Sequence, residues 1–191
     1  FILLERFWLN QNYIEILREL SKNKKCVAIG EIGLDYYWRQ DNKEAQKRVF
    51  EEQILLAKEL NLPIIVHDRE AHDDTLNILK KHKPKGVLHC FSGSAEMAKE
   101  VLRLGMYIGL GGALTFKNAR KPVEVAEMLP LEKLLLETDC PYMAPVPMRG
   151  KRNYSGYIPY IAERVAEIKG IAPQEVLDTT SKNTKQLFNI K

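Results

Sequence analysis

The sequence contains little cysteine and no long hydrophobic run, and both absences limit what the protein can be. Its three cysteines, Cys26, Cys90 and Cys140, lie far apart without a C-x-x-C pair. This sparse, odd set argues against a disulfide-stabilised secreted scaffold, so we expect a reducing, cytoplasmic location. No apolar stretch approaches the roughly 20 residues that cross a bilayer, so no membrane association is expected. The apolar start at residues 1–4 is short and lacks a cleavage site, which argues against a signal peptide.

An excess of charge of one sign is also missing. The net charge is only +4, and residues of both signs are interleaved among the 28% that are charged. This mixture argues against disorder, and the mild positive charge permits a polyanionic partner without requiring one. With 45% hydrophobic residues, a chain of 191 residues can bury a sizeable core. We therefore expect a single domain over residues 1–191.

Short apolar runs alternate with helical patterns along the chain. The runs, bounded by turn residues, predict five buried strands that begin near residues 27, 63, 86, 107 and 133. Helices are predicted at about 12–23, 43–61, 73–82, 94–104, 122–129 and 158–169, and from 173 onward. This alternation implies parallel strands with right-handed crossovers, and hence an α/β fold. An open doubly wound sheet and part of a (β/α)8 barrel both fit the spacing.

Four of the predicted strands end in a side chain that can bind a metal. These side chains are Glu31, His67, His89 and Asp139. Taken singly, Glu31 could be a surface residue and each histidine a satisfied core residue. Because the carboxyl ends of parallel strands meet at one edge of a sheet, we expect the four side chains to converge. Such a set suits a divalent cation, and the cation in turn indicates a hydrolase.

The polar residues beside these ligands are assigned different roles. Asp139 lies at the rim, where it can bind metal and act as a general base toward water. Glu137 precedes it by two residues on the same face of the predicted strand, and we expect it to support a ligand from behind. Asp35 either supports the site or caps the next segment, and we favour the capping role. Cys90 and Cys140 have no partner at nucleophile spacing, so a cysteine nucleophile is not expected.

Cations cluster in the loop after the last predicted strand. Arg149, Lys151 and Arg152 share this loop with a glycine, and they could either grip phosphates or form a solvated basic loop. Arg69, two residues past His67, is a further candidate for substrate binding.

Three aromatic residues and two histidines lie outside the predicted ligand set. Tyr36, Tyr37 and Trp38 follow the first ligand segment, and they could stack on bases or only close the mouth of a barrel. His82 lies in a lysine-rich run and is interpreted as solvated surface. His72 lies in a loop or a first helical turn, and its role is left open.

In combination, four motifs resemble the TatD family of metal-dependent DNases, which are amidohydrolase-like TIM barrels. They are residues 30–36 (GEIGLDY), 66–71 (VHDREA), 89–93 (HCFSG) and 137–142 (ETDCPY), and residues 144–145 and 149–153 match too. Any one motif is weak, but the ordered set is highly specific, and the similarity runs from about residue 12 to the C-terminus. The resemblance implies an α/β fold of the (β/α)8 TIM barrel class, with about five of the eight β/α units in this chain.

The resemblance also implies a chemistry. By resemblance, Glu31 bridges two divalent cations (Mg²⁺, Mn²⁺ or Zn²⁺), His67 and His89 hold one of them, and Asp139 holds the other. Glu31 and Asp139 are thus the expected catalytic carboxylates. The expected reaction is phosphodiester cleavage in DNA, with RNA as the alternative substrate, and no obligate protein partner is evident.

The chain departs from the family pattern in two places. The family begins with a strand carrying a His-x-His metal pair and two further strands, and no such pair occurs here. We therefore expect the C-terminal portion of a barrel, and the first residue, Phe1, agrees with a missing start. Residues 153–156 (NYSG) replace the Asn-Glu-Pro of many relatives, which weakens an assignment of substrate contacts there.

Two other functions remain open at this point. A related metal-dependent hydrolase could act on an ester or amide, for example as an aminoacyl-ester deacylase, because the same ligands serve both reactions. The basic loop favours a phosphate-bearing substrate over this alternative. The second alternative is a non-catalytic protein that lacks the His-x-His ligands, and the four ligands that are present argue against it.

Overall fold

The computed structural model describes residues 12–38 and 40–190 as an α/β fold built on one parallel sheet. The strands are β1 (Ile29–Asp35), β2 (Ile64–Arg69), β3 (Gly86–Leu88), β4 (Tyr107–Leu110) and β5 (Leu134–Leu136). The helices are α1 (Tyr13–Ser21), α2 (Lys43–Glu59), α3 (His72–His82), α4 (Ala95–Arg103), α5 (Arg120–Met128), α6 (Ile158–Lys169) and α7 (Pro173–Phe188). None of these helices is long and apolar enough to cross a membrane. The apolar start at residues 1–4 lies outside the described residues.

The sheet winds in one direction. Its order is β1-β2-β3-β4-β5, and every neighbouring pair is parallel. A doubly wound sheet reverses its winding at a switch point, whereas a (β/α)8 barrel places successive strands side by side. The observed order confirms the α/β class and selects the barrel-type winding from the two architectures that the sequence left open.

The two faces of the sheet are packed differently. One face carries the main core together with the helices, and its strand residues are almost fully buried: Ile64, Val66, Leu88, Ile108 and Leu134. The other face carries a smaller apolar cluster with the end of α7, formed by Ile65, Val87, Tyr107, Leu135, Leu187 and Phe188. Because side chains alternate along a strand, His67 shares this second face with Ile65. The second face therefore carries this apolar cluster and, nearer the carboxyl ends of the strands, the predicted ligand His67.

Strand β1 is irregular at Glu31. Gly30 and Ile32 pair with two consecutive residues of β2, so Glu31 is an extra residue in β1. A bulge of this kind interrupts the alternation of faces and re-aims a side chain. The prediction that the strands end at Glu31 and His67 is wrong in detail, because β1 continues to residue 35 and β2 to residue 69.

Gly33 lets β1 approach β2 beside the predicted site. It pairs with His67, and its φ of +142° is a conformation that residues with a side chain rarely adopt. A Cβ atom at this position would lie 1.9 Å from the carbonyl oxygen of His67. Glycine is therefore required where the strand that carries Glu31 meets the strand that carries His67.

Other element ends agree with the sequence only in part. The predicted N-cap at Ser94 is confirmed, because its side chain accepts a hydrogen bond from the Met97 N–H. Helix α5 begins at Arg120 and not at Pro122, since a proline is tolerated in a first turn whose N–H groups have no intrahelical partners. Strand β5 is shorter than predicted and ends before Glu137.

The two histidines outside the predicted ligand set are both paired with carboxylates. His82 is not solvated surface, because its side chain is only 10% exposed and its Nε2 lies 3.3 Å from Oε2 of Glu51. His72, at the start of α3, has its Nδ1 2.7 Å from Oδ2 of Asp68. Both side chains therefore lie beside carboxylates away from the predicted ligands, and of the two contacts only that of His72 is a hydrogen bond.

Candidate metal centre

Glu31, His67 and His89 meet at one point on the second face of the sheet. Oε1 of Glu31 lies 2.7 Å from Nδ1 of His67 and 2.8 Å from Nε2 of His89. The two ring nitrogens lie 3.4 Å apart. In the described part of the chain, these three residues form the group whose ligand atoms all lie within 4.8 Å of one another. The structure thus brings together three of the four predicted metal ligands.

Each histidine ring is also held by a second carboxylate. Nε2 of His67 lies 3.1 Å from Oδ2 of Asp35, and Nδ1 of His89 lies 3.3 Å from Oε2 of Glu137. Metal-binding histidines usually direct their other ring nitrogen to such a partner, which sets the tautomer and the ring orientation. Two ring nitrogens and one carboxylate oxygen therefore converge with both rings fixed from behind, and this donor set fits a divalent cation.

The carboxylates create a strongly negative field at this point. Burial alone would raise the pKa of Glu31, but its hydrogen bonds with His67 and His89 lower it far below the usual range. Burial alone would lower the pKa of His89, whereas Glu137 and Glu31 raise it to about 10. The field that keeps a proton on His89 is also a field that attracts a cation.

Asp139 lies near this group but outside it. It follows the end of β5 by three residues and has a φ of +54°, which aspartate tolerates better than most side chains. Burial raises the pKa of Asp139, while His89 lowers it and Glu137 raises it again, so its carboxyl senses the charges of the cluster. The prediction that Glu137 and Asp139 lie on the same face of one strand is wrong, because neither belongs to β5.

A buried asparagine holds the loop that contains Asp139. Asn153 is 2% exposed, and its Nδ2 donates to the carbonyl oxygens of Thr138 and Tyr142, at 2.6 Å each. Its backbone N–H donates to the carbonyl oxygen of Pro141. These bonds bracket Asp139 on both sides. Sequence reasoning did not assign Asn153 to the site, because a single buried asparagine in a polar loop leaves no periodic signal.

Asp35 fills both of the roles considered for it. Its Oδ2 contacts His67, while its Oδ1 accepts hydrogen bonds from the backbone N–H groups of Tyr37 and Trp38, at 3.0 and 3.1 Å. One buried carboxylate thus connects a predicted metal ligand to the aromatic segment that follows β1.

Glu137 connects the ends of three strands. Its Oε1 accepts a hydrogen bond from the Cys90 N–H, while its Oε2 contacts His89. Gly109 of β4 leaves room for it, since a Cβ atom there would lie 3.0 Å from Oε1. Burial raises the pKa of the Cys90 thiol, so the thiol stays protonated at neutral pH. For Cys90, this agrees with the expectation that the residue is not a nucleophile.

The four cations predicted to bind substrate have different surroundings. The guanidinium groups of Arg69 and Arg149 each lie over an aromatic ring, 4.0 Å from its centre. Lys151 and Arg152 are exposed to solvent. Arg69 and Arg149 are therefore positioned by packing, whereas Lys151 and Arg152 present their charges to solvent.

Comparison with known proteins assigns the family. A model of the TatD related DNases matches residues 6–189. The chain belongs to the TatD family. It is 50% identical over 177 residues to YabD of Bacillus subtilis, an uncharacterised metal-dependent hydrolase. The matched region covers 91% of this chain and 69% of that protein. It is 38% identical over 186 residues to the 3'-5' ssDNA/RNA exonuclease TatD of Escherichia fergusonii, covering 92% and 71% of the two chains.

Solved structures of TatD proteins have the same fold. The crystal structure of the TatD homologue YjjV from Escherichia coli matches with a TM-score of 0.86 and 36% identity, over 93% of this chain and 70% of that one. A TatD family hydrolase from Entamoeba histolytica matches with a TM-score of 0.83 and 28% identity, over 97% and 71%. The resemblance inferred from the motifs is confirmed. Family membership and the three converging donors identify a metal-dependent hydrolase.

Proposed function

We propose that this protein hydrolyses phosphodiester bonds of nucleic acid, with DNA as the first substrate to test and RNA as the second. The observation that carries the proposal is the convergence of Glu31, His67 and His89, with a carboxylate oxygen 2.7 and 2.8 Å from two ring nitrogens. Asp35 and Glu137 hold those two rings from behind. The proposed cofactor is a pair of divalent cations, Mg²⁺, Mn²⁺ or Zn²⁺, with Glu31, His67, His89 and Asp139 as their ligands.

The residues of the chain divide the work of this reaction. A bound divalent cation would polarise the phosphoryl group and make water a stronger nucleophile at neutral pH. Glu31 holds the centre together, since one of its oxygens contacts both histidines. Asp139 is the proposed general base, and one of its carboxylate oxygens accepts the proton of the attacking water. Asn153 keeps Asp139 in place by binding the loop on either side of it.

The basic side chains support a phosphate-bearing substrate. Lys151 and Arg152 are exposed in the loop that follows Asp139, and Arg69 and Arg149 are positioned by aromatic rings. Such cations bind the backbone of a nucleic acid without reading its sequence. The name of the Escherichia fergusonii relative describes that protein as an ssDNA/RNA exonuclease, which supports the same substrate class for this chain.

The proposal is tested by metal-dependent hydrolysis of defined substrates. The protein is treated with a chelator, resupplied with Mg²⁺, Mn²⁺ or Zn²⁺, and given labelled single-stranded DNA, duplex DNA, RNA and an aminoacyl ester. We expect hydrolysis of an oligonucleotide that requires metal and is lost in His67→Ala. His72→Asn is the matched control, because His72 lies outside the metal centre and asparagine can still donate to Asp68.

The other outcomes support the alternatives. Metal-dependent hydrolysis of the ester with no cleavage of nucleic acid would contradict the proposal in favour of an ester or amide hydrolase such as a deacylase. If the protein neither binds metal nor hydrolyses any of the substrates, the proposal is contradicted and the non-catalytic alternative is supported.

A further inference from the structure

Two aromatic side chains stand exposed next to the metal centre. Trp38 is 67% exposed and Tyr37 is 48% exposed. Tyr36, by contrast, is buried and donates its hydroxyl to Asp74, so it belongs to the core. Exposure of a large apolar ring costs solvation free energy, and an exposed pair at the edge of a polar site is typical of a binding surface.

The pair is held in a defined geometry. The two rings are perpendicular, with centres 4.8 Å apart. The guanidinium of Arg69 lies 4.0 Å from the centre of the Tyr37 ring and 5.6 Å from that of Trp38. Cation–π contacts of this length attract the guanidinium to both rings and favour this arrangement. The aromatic pair and Arg69 therefore form one ordered cluster, which we call the aromatic cluster.

The aromatic cluster is connected directly to the metal centre. One carboxylate oxygen of Asp35 accepts hydrogen bonds from the backbone N–H groups of Tyr37 and Trp38, and the other contacts His67. His67 in turn lies 2.7 Å from Glu31. A ligand that rests on the exposed rings would thus be placed in a constant relation to a group that is bound at the metal centre.

The chemistry of the cluster matches an unpaired nucleobase. A base presents a flat π-surface that stacks on Trp or Tyr, and such stacking is tolerant of base identity. The planar Arg69 guanidinium has N–H groups along its edge that can bind a phosphate oxygen while its face lies on Tyr37. An aromatic surface flanked by a cation therefore fits a nucleotide better than it fits an ester with a purely aliphatic acyl group.

We propose that Tyr37 and Trp38 form a stacking site for one unpaired nucleobase beside the metal centre, with Arg69 positioning the rings. This assignment rests on the proposed nucleic-acid substrate. It assigns to Trp38 a role in binding the base of a substrate nucleotide, separate from the metal ligands and from the basic loop. Loss of Trp38 is expected to weaken binding through the base and to leave phosphate contacts unchanged.

The test compares an oligothymidylate with a strand of the same length whose positions are abasic, both made with hydrolysis-resistant phosphorothioate linkages. Binding is followed by anisotropy of a label on the strand. Trp38→Ala is expected to raise the Kd for the oligothymidylate by roughly 5- to 150-fold, the range for one stacked base, and to leave the Kd for the abasic strand unchanged. Trp38→Phe should retain most of the affinity, because it keeps an aromatic face.

A second readout observes the ring itself. The chain has two tryptophans, Trp8 and Trp38, so in a Trp8→Phe background the fluorescence reports on Trp38 alone. It should be quenched by the oligothymidylate and not by the abasic strand. Leu55→Ala, which removes an exposed apolar side chain on α2, is the matched control for loss of surface hydrophobicity.

The outcomes separate this inference from the proposed function. Equal affinity of Trp38→Ala and the wild type for the oligothymidylate, or an equal loss on both strands, would overturn the stacking site and leave the nuclease proposal standing. If the wild type binds neither strand and also fails to cleave the unmodified oligonucleotides of the hydrolysis assay, the proposed function is overturned, and the stacking site with it.

Discussion

His89, directly after β3, contacts Glu137, directly after β5, with Nδ1 of His89 3.3 Å from Oε2 of Glu137. The other ring nitrogen, Nε2, lies 2.8 Å from Glu31. A carboxylate at position 137 accepts a hydrogen bond from the Nδ1–H group and so leaves the lone pair of Nε2 directed at the metal centre. The hydrogen-bond partner of Nδ1 thus determines whether Nε2 can bind a metal.

Glu137→Gln should therefore weaken metal binding without removing a ligand. The amide group of glutamine can donate to Nδ1, which favours the tautomer with a proton on Nε2 and blocks that atom as a ligand. We expect a 10- to 100-fold loss of metal affinity, the usual effect of changing such a partner. Isothermal titration with Mn²⁺ or Zn²⁺ measures it, with Glu132→Gln, an exposed site, as the control. Unchanged affinity would show that Glu137 does not orient His89.

Asp139→Asn should reduce turnover while leaving the loop intact. Asparagine tolerates the φ of +54° at this position, and it removes both the proton acceptor and the negative charge of a proposed metal ligand. Loss of a general base typically costs about 10²- to 10⁴-fold in rate. We expect kcat for oligonucleotide hydrolysis to fall in this range, with little change in the thermal unfolding midpoint. Asp178→Asn, on the exposed side of α7, is the control. Near-normal turnover would remove Asp139 from its assigned role.

The sequence predicted the convergence of Glu31, His67 and His89 because one rule of parallel sheets is enough to place them. Apolar runs followed by ligands indicate strand ends, and such ends gather at one edge of the sheet. The sequence did not predict the bulge at Glu31, because one extra residue in a strand changes no composition or periodicity. It appears only when β1 is paired with β2.

The surroundings of Asp139 were not predictable for a related reason. Its position depends on hydrogen bonds from Asn153 to residues 11 and 15 positions away, and such contacts are invisible to a local pattern. The same holds for Asp35, whose two oxygens serve a ligand on another strand and the N–H groups of its own loop. The apolar run predicts a strand as far as Thr138, whereas the backbone leaves the strand after Leu136.

Removal of two exposed cations should change the salt dependence of nucleic-acid binding. Each phosphate contact on a single strand contributes about 0.7 to the slope of log K against log salt. The double variant Lys151→Ala and Arg152→Ala should therefore reduce the slope by up to about 1.4. We omit Arg149 because it packs over Phe116 and its loss would also disturb the loop.

The matched control for this experiment is the double variant Lys24→Ala and Lys25→Ala. Both lysines are exposed, and they precede β1 at the opposite edge of the sheet from the metal centre. The two double variants have the same net charge, so a general charge effect would reduce both slopes equally. Equal slopes for the two would show that the basic loop does not contact phosphates.

The pair formed by His72 and Asp68 should make stability depend on pH. Its hydrogen bond to Asp68 raises the pKa of His72 above 6.5, although burial and Lys121 oppose the shift. A histidine whose pKa is raised in the folded state stabilises the fold fully below its unfolded pKa, and this stabilisation is lost as pH rises through the folded pKa. The unfolding free energy of the wild type relative to His72→Asn should thus decrease between pH 6 and pH 8.5. The expected decrease is only about 0.5 kcal/mol, because the side chain is 37% exposed and screened by solvent.

Urea unfolding of both proteins with a chelator present measures the difference, and the titration of the other histidines cancels between them. A difference that stays constant or grows with pH would show that protonated His72 does not bind Asp68 in the folded state.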